Sequence, residues 1–114
     1  MIHVPPERFA ELVAQALDGI PPELATMMDN VAVVVDDDSP PGDLFGLYEG
    51  VPLTERSDYG GMALPDTVTI FRQTLCASCD SSEELVAEVR RTVLHEVGHH
   101  FGISDDRLDE LGWG

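Results

Sequence analysis

Residues 80–102 read as one long helix with a marked start, a marked end and two histidines close to that end. Asp80-Ser81-Ser82-Glu83-Glu84 carries a capping box in one of two registers, Asp80 with Glu83 or Ser81 with Glu84. Gly102 stands where a glycine would end the helix at about Phe101. At about 100° per residue, Val86, Val89, Val93, Leu94, Val97 and Phe101 gather on one side, and Thr92, His95 and His99 on the other. Such a helix has to lie against a core by its apolar side, which leaves two imidazoles one turn apart facing a cleft. Gly98 interrupts it at a cost of about 1 kcal/mol relative to alanine. That points to a close approach by another backbone, or to plain helix–strand packing.

The two histidines belong to His95-Glu96-Val97-Gly98-His99, which extends through Gly102 and Asp105 to H-E-x-x-H-x-x-G-x-x-D. Positions four apart share a helix face, so both imidazoles can grip one zinc ion. Catalytic zinc sites use three protein ligands. Asp105 is the candidate third, because Gly102 lets the chain leave the helix in a left-handed conformation and three more residues can bring a carboxylate back. Asp106 and Asp109 are its competitors. Glu96 is the candidate general base, placed to take a proton from water and pass it to a leaving amine. His100 faces elsewhere, at the surface or in support of the ligands, with a part in stabilising the transition state as an alternative. A polar helix face that holds no metal is the plain alternative for the whole group.

The length of 114 residues suits one domain over 1–114, with monomer as the default state. Pro5-Pro6-Glu7 opens a helix in which Phe9, Leu12, Val13, Ala16 and Leu17 recur at helical spacing, and Gly19 ends it. Pro21-Pro22-Glu23 opens a shorter one carrying Leu24, Met27 and Met28. The unbroken apolar run Val31–Val35 reads as a buried strand. Asp36-Asp37-Asp38 reads as its solvated end, with a turn at 39–42. Leu44 to Gly50 is a second, glycine-interrupted strand or extended segment, 51–64 a long exposed loop, and Thr67–Arg72 a strand with Val68 and Ile70 alternating. Gln73 to Asp80 reads as a connection.

Charge narrows the partners. Acidic residues number 22 and basic ones six, all arginine, for a net charge of −16. No basic surface exists to neutralise phosphates or to meet an anionic membrane, so nucleic acid and membrane are excluded as partners. The acidity would attract cations and basic peptides, or serve solubility alone. Residues 1–9 have no signal-peptide pattern and no apolar stretch reaches the length of a membrane span, so a cytoplasmic address is expected. Cys76 and Cys79 form a single C-x-x-C, read as inert thiols or a local disulfide, with redox or metal roles as alternatives.

The string H-E-x-x-H-x-x-G-x-x-D resembles the metal-binding signature of the metzincin side of the zincins, in which an aspartate variant of the last ligand occurs, as in snapalysin. Leu64-Pro65-Asp66 with the strand after it, the run Arg91 to Gly102, and Leu108 to Trp113 look like the minimal zincin-like metalloproteases of bacteria. The likeness covers essentially the whole chain. It implies a small α+β, metzincin-like domain, with a short twisted sheet packed on the active-site helix and an N-terminal helix beside it. It implies zinc held by His95, His99 and Asp105, Glu96 as general base, and a peptide or protein substrate. The Thr67–Arg72 strand would lie along the cleft, where an edge strand could pair with an extended peptide. The chain departs from the metzincins after Asp105: nine residues follow, and no methionine occurs after Met62, so their methionine turn and pocket wall are missing. A metal-binding interaction or regulatory module without turnover is therefore the alternative function, and a closed structural zinc site a third.

Overall fold

Proline decides where the first two helices begin. Helix α1 runs Pro6–Asp18 and α2 runs Pro22–Met27, each with proline in its first turn and neither with a side-chain cap. Proline suits that place because its ring presets φ and the first helical N–H has no partner to lose. The computed structural model describes residues 1–38, 42, 44–50 and 65–112. Most of the turn expected at 39–42, the loop expected over 51–64, and Trp113 fall outside the described residues.

Among the described residues there are three strands, β1 (Val31–Asp36), β2 (Gly46–Glu49) and β3 (Asp66–Phe71). Three further helices follow, α3 (Arg72–Ser78), α4 (Ser82–His100) and α5 (Asp105–Glu110). The sheet order is β1-β3-β2, with β1 parallel and β2 antiparallel to the central β3. This is a small α+β architecture, as the sequence led one to expect. Val68 and Ile70 of β3 are fully buried, and they share one apolar cluster with Val89, Val93 and Val97 of α4 and Phe9, Leu12 and Ala16 of α1. Arg90 of α4 reaches across and donates from Nε to the carbonyl of Ala16 at 3.0 Å, satisfying an acceptor in the last turn of α1.

The structure corrects three sequence expectations. The Val31–Val35 run is a strand but not a buried one, since Val34 and Val35 are 42% and 38% exposed. A continuous apolar run signals burial when both faces of a sheet are covered. Here β1 is an outer strand, and Val34 pairs with Thr69, which in turn pairs with the exposed Leu47, on the face away from α4. Secondly, the expected connection after Arg72 is helix α3, which buries Leu75 and Cys76. Seven residues are too few to display a helical repeat. Thirdly, Phe101 is not part of the apolar side of α4. It is the helix's C-cap and 45% exposed, while Leu85 and Thr92 are buried instead.

Arg72 ties the start of α3 down, donating to Asp37 Oδ1 at 2.6 Å and to the Val4 carbonyl at 2.9 Å. Of the aspartates at 36–38, Asp37 is thus ion-paired. Cys76 and Cys79 are free, buried thiols, so the local disulfide is not formed. Burial pushes both thiols above the ordinary value, against the pull of Arg72 on Cys76 and of a Ser78 hydrogen bond on Cys79. A raised thiol holds its proton at neutral pH, and the thiolate is the reactive form. Both cysteines should therefore resist iodoacetamide in the native protein and alkylate promptly in denaturant. Mass spectrometry would show this, and fast native labelling would contradict it.

Candidate metal centre

Helix α4 starts with the second of the two capping boxes. Ser81 Oγ accepts from the Glu84 N–H at 3.1 Å, and Glu84 Oε2 accepts from the Asp80 N–H at 2.9 Å. Its end is a Schellman turn. Gly102 at φ 80° sends its N–H to the His99 carbonyl at 3.0 Å, and Ile103 sends its own to the Gly98 carbonyl at 2.8 Å. Ser104 then caps α5, its Oγ accepting from the Arg107 N–H at 3.2 Å, which places Asp105 in the first turn of α5.

Those two caps bring the chain back to its own histidines. Asp105 Oδ1 lies 2.6 Å from His99 Nε2 and 3.6 Å from His95 Nδ1. The His95 and His99 rings meet edge to face, with centroids 5.6 Å apart. One ligand atom from each of His95, His99 and Asp105 falls within 4.8 Å of the others. Asp106 and Asp109, the competing candidates, are exposed and stand outside this group. The hydrogen bond with His99 holds the Asp105 carboxyl below the usual carboxylate range. His95 Nε2 is buried without a hydrogen-bond partner among the described residues. Such an orphan is costly, and a donor set of two imidazoles and a carboxylate suits zinc. The residues present fit a divalent ion.

Gly98 has a reason that is neither of the two expected. A Cβ placed there would meet Leu108 Cδ2 at 2.9 Å, and Leu108 is fully buried. The close approach is by a side chain of α5, and it seats the helix that carries Asp105. Gly98→Ala should trade a helix-propensity gain of about 1 kcal/mol against crowding of about 1–3 kcal/mol, so stability should fall by about 0–2 kcal/mol. Zinc affinity should fall roughly tenfold, as when a group that orients a ligand is lost. Competition with a chromophoric chelator would measure it, and unchanged affinity would contradict this seating of Asp105.

A neighbouring face of α4 carries Thr92, Glu96 and His100, and it lies along β2. Gly46 is needed at that contact: a Cβ there would sit 2.6 Å from Thr92 Cγ2 and 3.1 Å from the Thr69 carbonyl oxygen. Thr92, placed with the histidines by its spacing, is buried at this crossing, its hydroxyl donating to the Glu88 carbonyl at 2.8 Å. Glu96 is half-buried, and burial pushes its carboxyl above the ordinary value, partly offset by His99 and His95. His100 stacks on Tyr48 with ring centroids 3.9 Å apart and a 14° tilt. Tyr48 donates its hydroxyl to Asp66 Oδ2 at 2.7 Å, and His100 Nε2 lies 3.8 Å from the same oxygen. Tyr48, Asp66 and Gly46 escaped the sequence reading because their partners lie far along the chain. Only a glycine inside a strand hinted at a close approach.

A cleft of about 200 Å³ opens beside the histidines, lined by Leu44, Phe45, Gly46, Thr92, His95 and Glu96 among others. A larger hollow of about 640 Å³ lies between residues 1–5 and α3 and touches none of the candidate site residues. The chemistry therefore belongs to the smaller cleft. The strand beside it is not the one expected. β3 is central and paired on both sides, and β2 is an outer strand among the described residues. The Phe71 N–H bonds the Phe45 carbonyl at 3.0 Å, so the antiparallel alternation turns the main-chain groups of Gly46 away from β3.

A family model described as zincin-like metallopeptidase matches residues 28–113. This chain belongs to that family. The match takes in the whole sheet and α3 to α5 and leaves out α1 and α2. Membership of the zincin-like family implies a metal, usually zinc. A conserved hypothetical protein from Thermo thermophilus has a similar structure, with a TM-score of 0.54 at 22% identity, over 83% of this chain and 92% of that one. At that identity the likeness is one of fold. No curated protein matches the chain. No helix among the described residues is long and apolar enough to cross a membrane.

Proposed function

We propose that this zincin-like chain is a zinc-dependent peptidase in which His95, His99 and Asp105 hold the metal and Glu96 is the general base. The observation that carries the reading is the convergence of the three donors within 4.8 Å beside a half-buried glutamate. Zinc bound there would supply Lewis acidity, making a water more acidic and polarising a carbonyl. Glu96 follows His95 directly, so it stands next to the donors without joining them. That position suits it to accept a proton from the attacking water. The same carboxyl then hands that proton to the departing amine nitrogen. Gly46, at the outer strand β2, offers main-chain groups with which an extended peptide could pair while its scissile bond faces Glu96. A cytoplasmic address is part of the proposal, supported by two free thiols, which persist in reducing compartments.

Glu96→Gln is expected to lose peptide hydrolysis by at least roughly a hundredfold while retaining zinc, because it removes the proton acceptor and leaves every ligand in place. Elemental analysis and a peptide-library assay on the same preparation check both halves. Zinc retained by a wild type that cleaves nothing would favour a metal-binding module without turnover.

Asp105→Ala is expected to weaken zinc binding by about tenfold or more, since losses of groups that merely orient ligands already span that range. Unaltered affinity in a metal titration would move the third ligand elsewhere.

A further inference from the structure

We propose that the cleft beside Glu96 selects extended peptides carrying a basic side chain, with Glu88 as the group that reads the charge. The proposal builds on the peptidase reading by naming a substrate class for the same cleft. Glu88 and Arg91 stand at the cleft, about two turns and one turn before His95. Glu88 is the more buried of the two, its side chain 24% exposed against 59% for Arg91, and their ion pair is long at 3.6 Å. An exposed pair at this spacing is weak, so a ligand cation can displace Arg91 from Glu88 at little cost. Leu44 and Phe45 provide an apolar wall for the methylene stem of an arginine or lysine, whose charged head then reaches Glu88.

The surroundings favour the same sign. Glu49 on β2 and Asp106 and Asp109 on α5 are exposed, and the chain as a whole carries −16. Such a field draws cationic peptides and repels anionic ones. Among the described residues Arg91 is the one arginine lining the cleft, and its loose hold on Glu88 makes it a stand-in for the ligand's cation.

The test is a binding titration of short peptides identical but for a central arginine, norleucine or glutamate. The full chain is used with and without added zinc, and hydrolysis is followed separately. The arginine peptide is expected to bind about fivefold more tightly than the norleucine one, the worth of one partly buried pair, and the glutamate peptide least. Glu88→Gln should erase the arginine advantage, and Arg91→Gln, by removing the competing cation, should enlarge it. Both side chains lie at the helix surface or near it, and circular dichroism would confirm that each variant folds. Tightest binding of the glutamate peptide would make Arg91 the reader and overturn the proposal. Equal binding of all three, no binding at all, or an arginine advantage that survives Glu88→Gln would overturn it too. Cleavage without regard to the central residue would leave the peptidase reading standing and remove only the charge preference. A Glu88-dependent preference in a protein that takes up no zinc would do the reverse.

Discussion

The removal of one side of α4 from water is the interaction on which everything else rests. Val89, Val93 and Val97 are fully buried against Val68 and Ile70 of β3 and against α1. Each such side chain contributes about 1.5–3 kcal/mol when taken out of water. Because the helix is a rigid rod of fixed pitch, holding that side sets the direction of the others. His95 and His99 emerge on one adjoining face, and Thr92, Glu96 and His100 on another, against β2. The site thus inherits its geometry from the core. A change in the valine layer would turn the imidazoles as surely as a change beside them.

The aspartate is placed by a different device. Gly102 supplies a φ of 80° that lets the chain reverse, and Gly98 supplies a gap for Leu108. One glycine is present for its backbone and the other for its missing volume. Together they dock α5 so that Asp105, exposed in its first turn, meets His99 at 2.6 Å. The N-terminal turn of a helix also favours a carboxylate. A three-donor cluster therefore forms within a single stretch of chain, with β2 contributing only the wall of the cleft.

That locality explains how the match to zincin-like metallopeptidases can begin at residue 28 and leave out α1. The three-donor cluster lies within residues 95–105, and the first helix contributes Phe9, Leu12 and Ala16 to the core. A core can be rebuilt from many apolar residues of similar volume, whereas donors on one helical turn and a glycine at positive φ cannot be exchanged freely. A solved structure 22% identical over most of the chain keeps the same fold, as interchangeable apolar packing allows.

Local patterns determined what the sequence could reveal by itself. Capping box, valine spacing, His95 and His99 one turn apart, the reversing glycine and Asp105 all lie within 80–105, where helix geometry alone relates one residue to the next. The α1 and α2 starts were legible for the same reason. Tertiary structure decided what depends on neighbours distant in the chain. The strand order made β1 an outer strand and exposed Val34, and it made β2 rather than β3 the border of the cleft. Packing buried Thr92 under Gly46, set His100 on Tyr48 and gave Gly98 a leucine to receive. Helical periodicity extends only as far as a helix continues, and which surfaces then meet is settled by the burial of the whole chain at once.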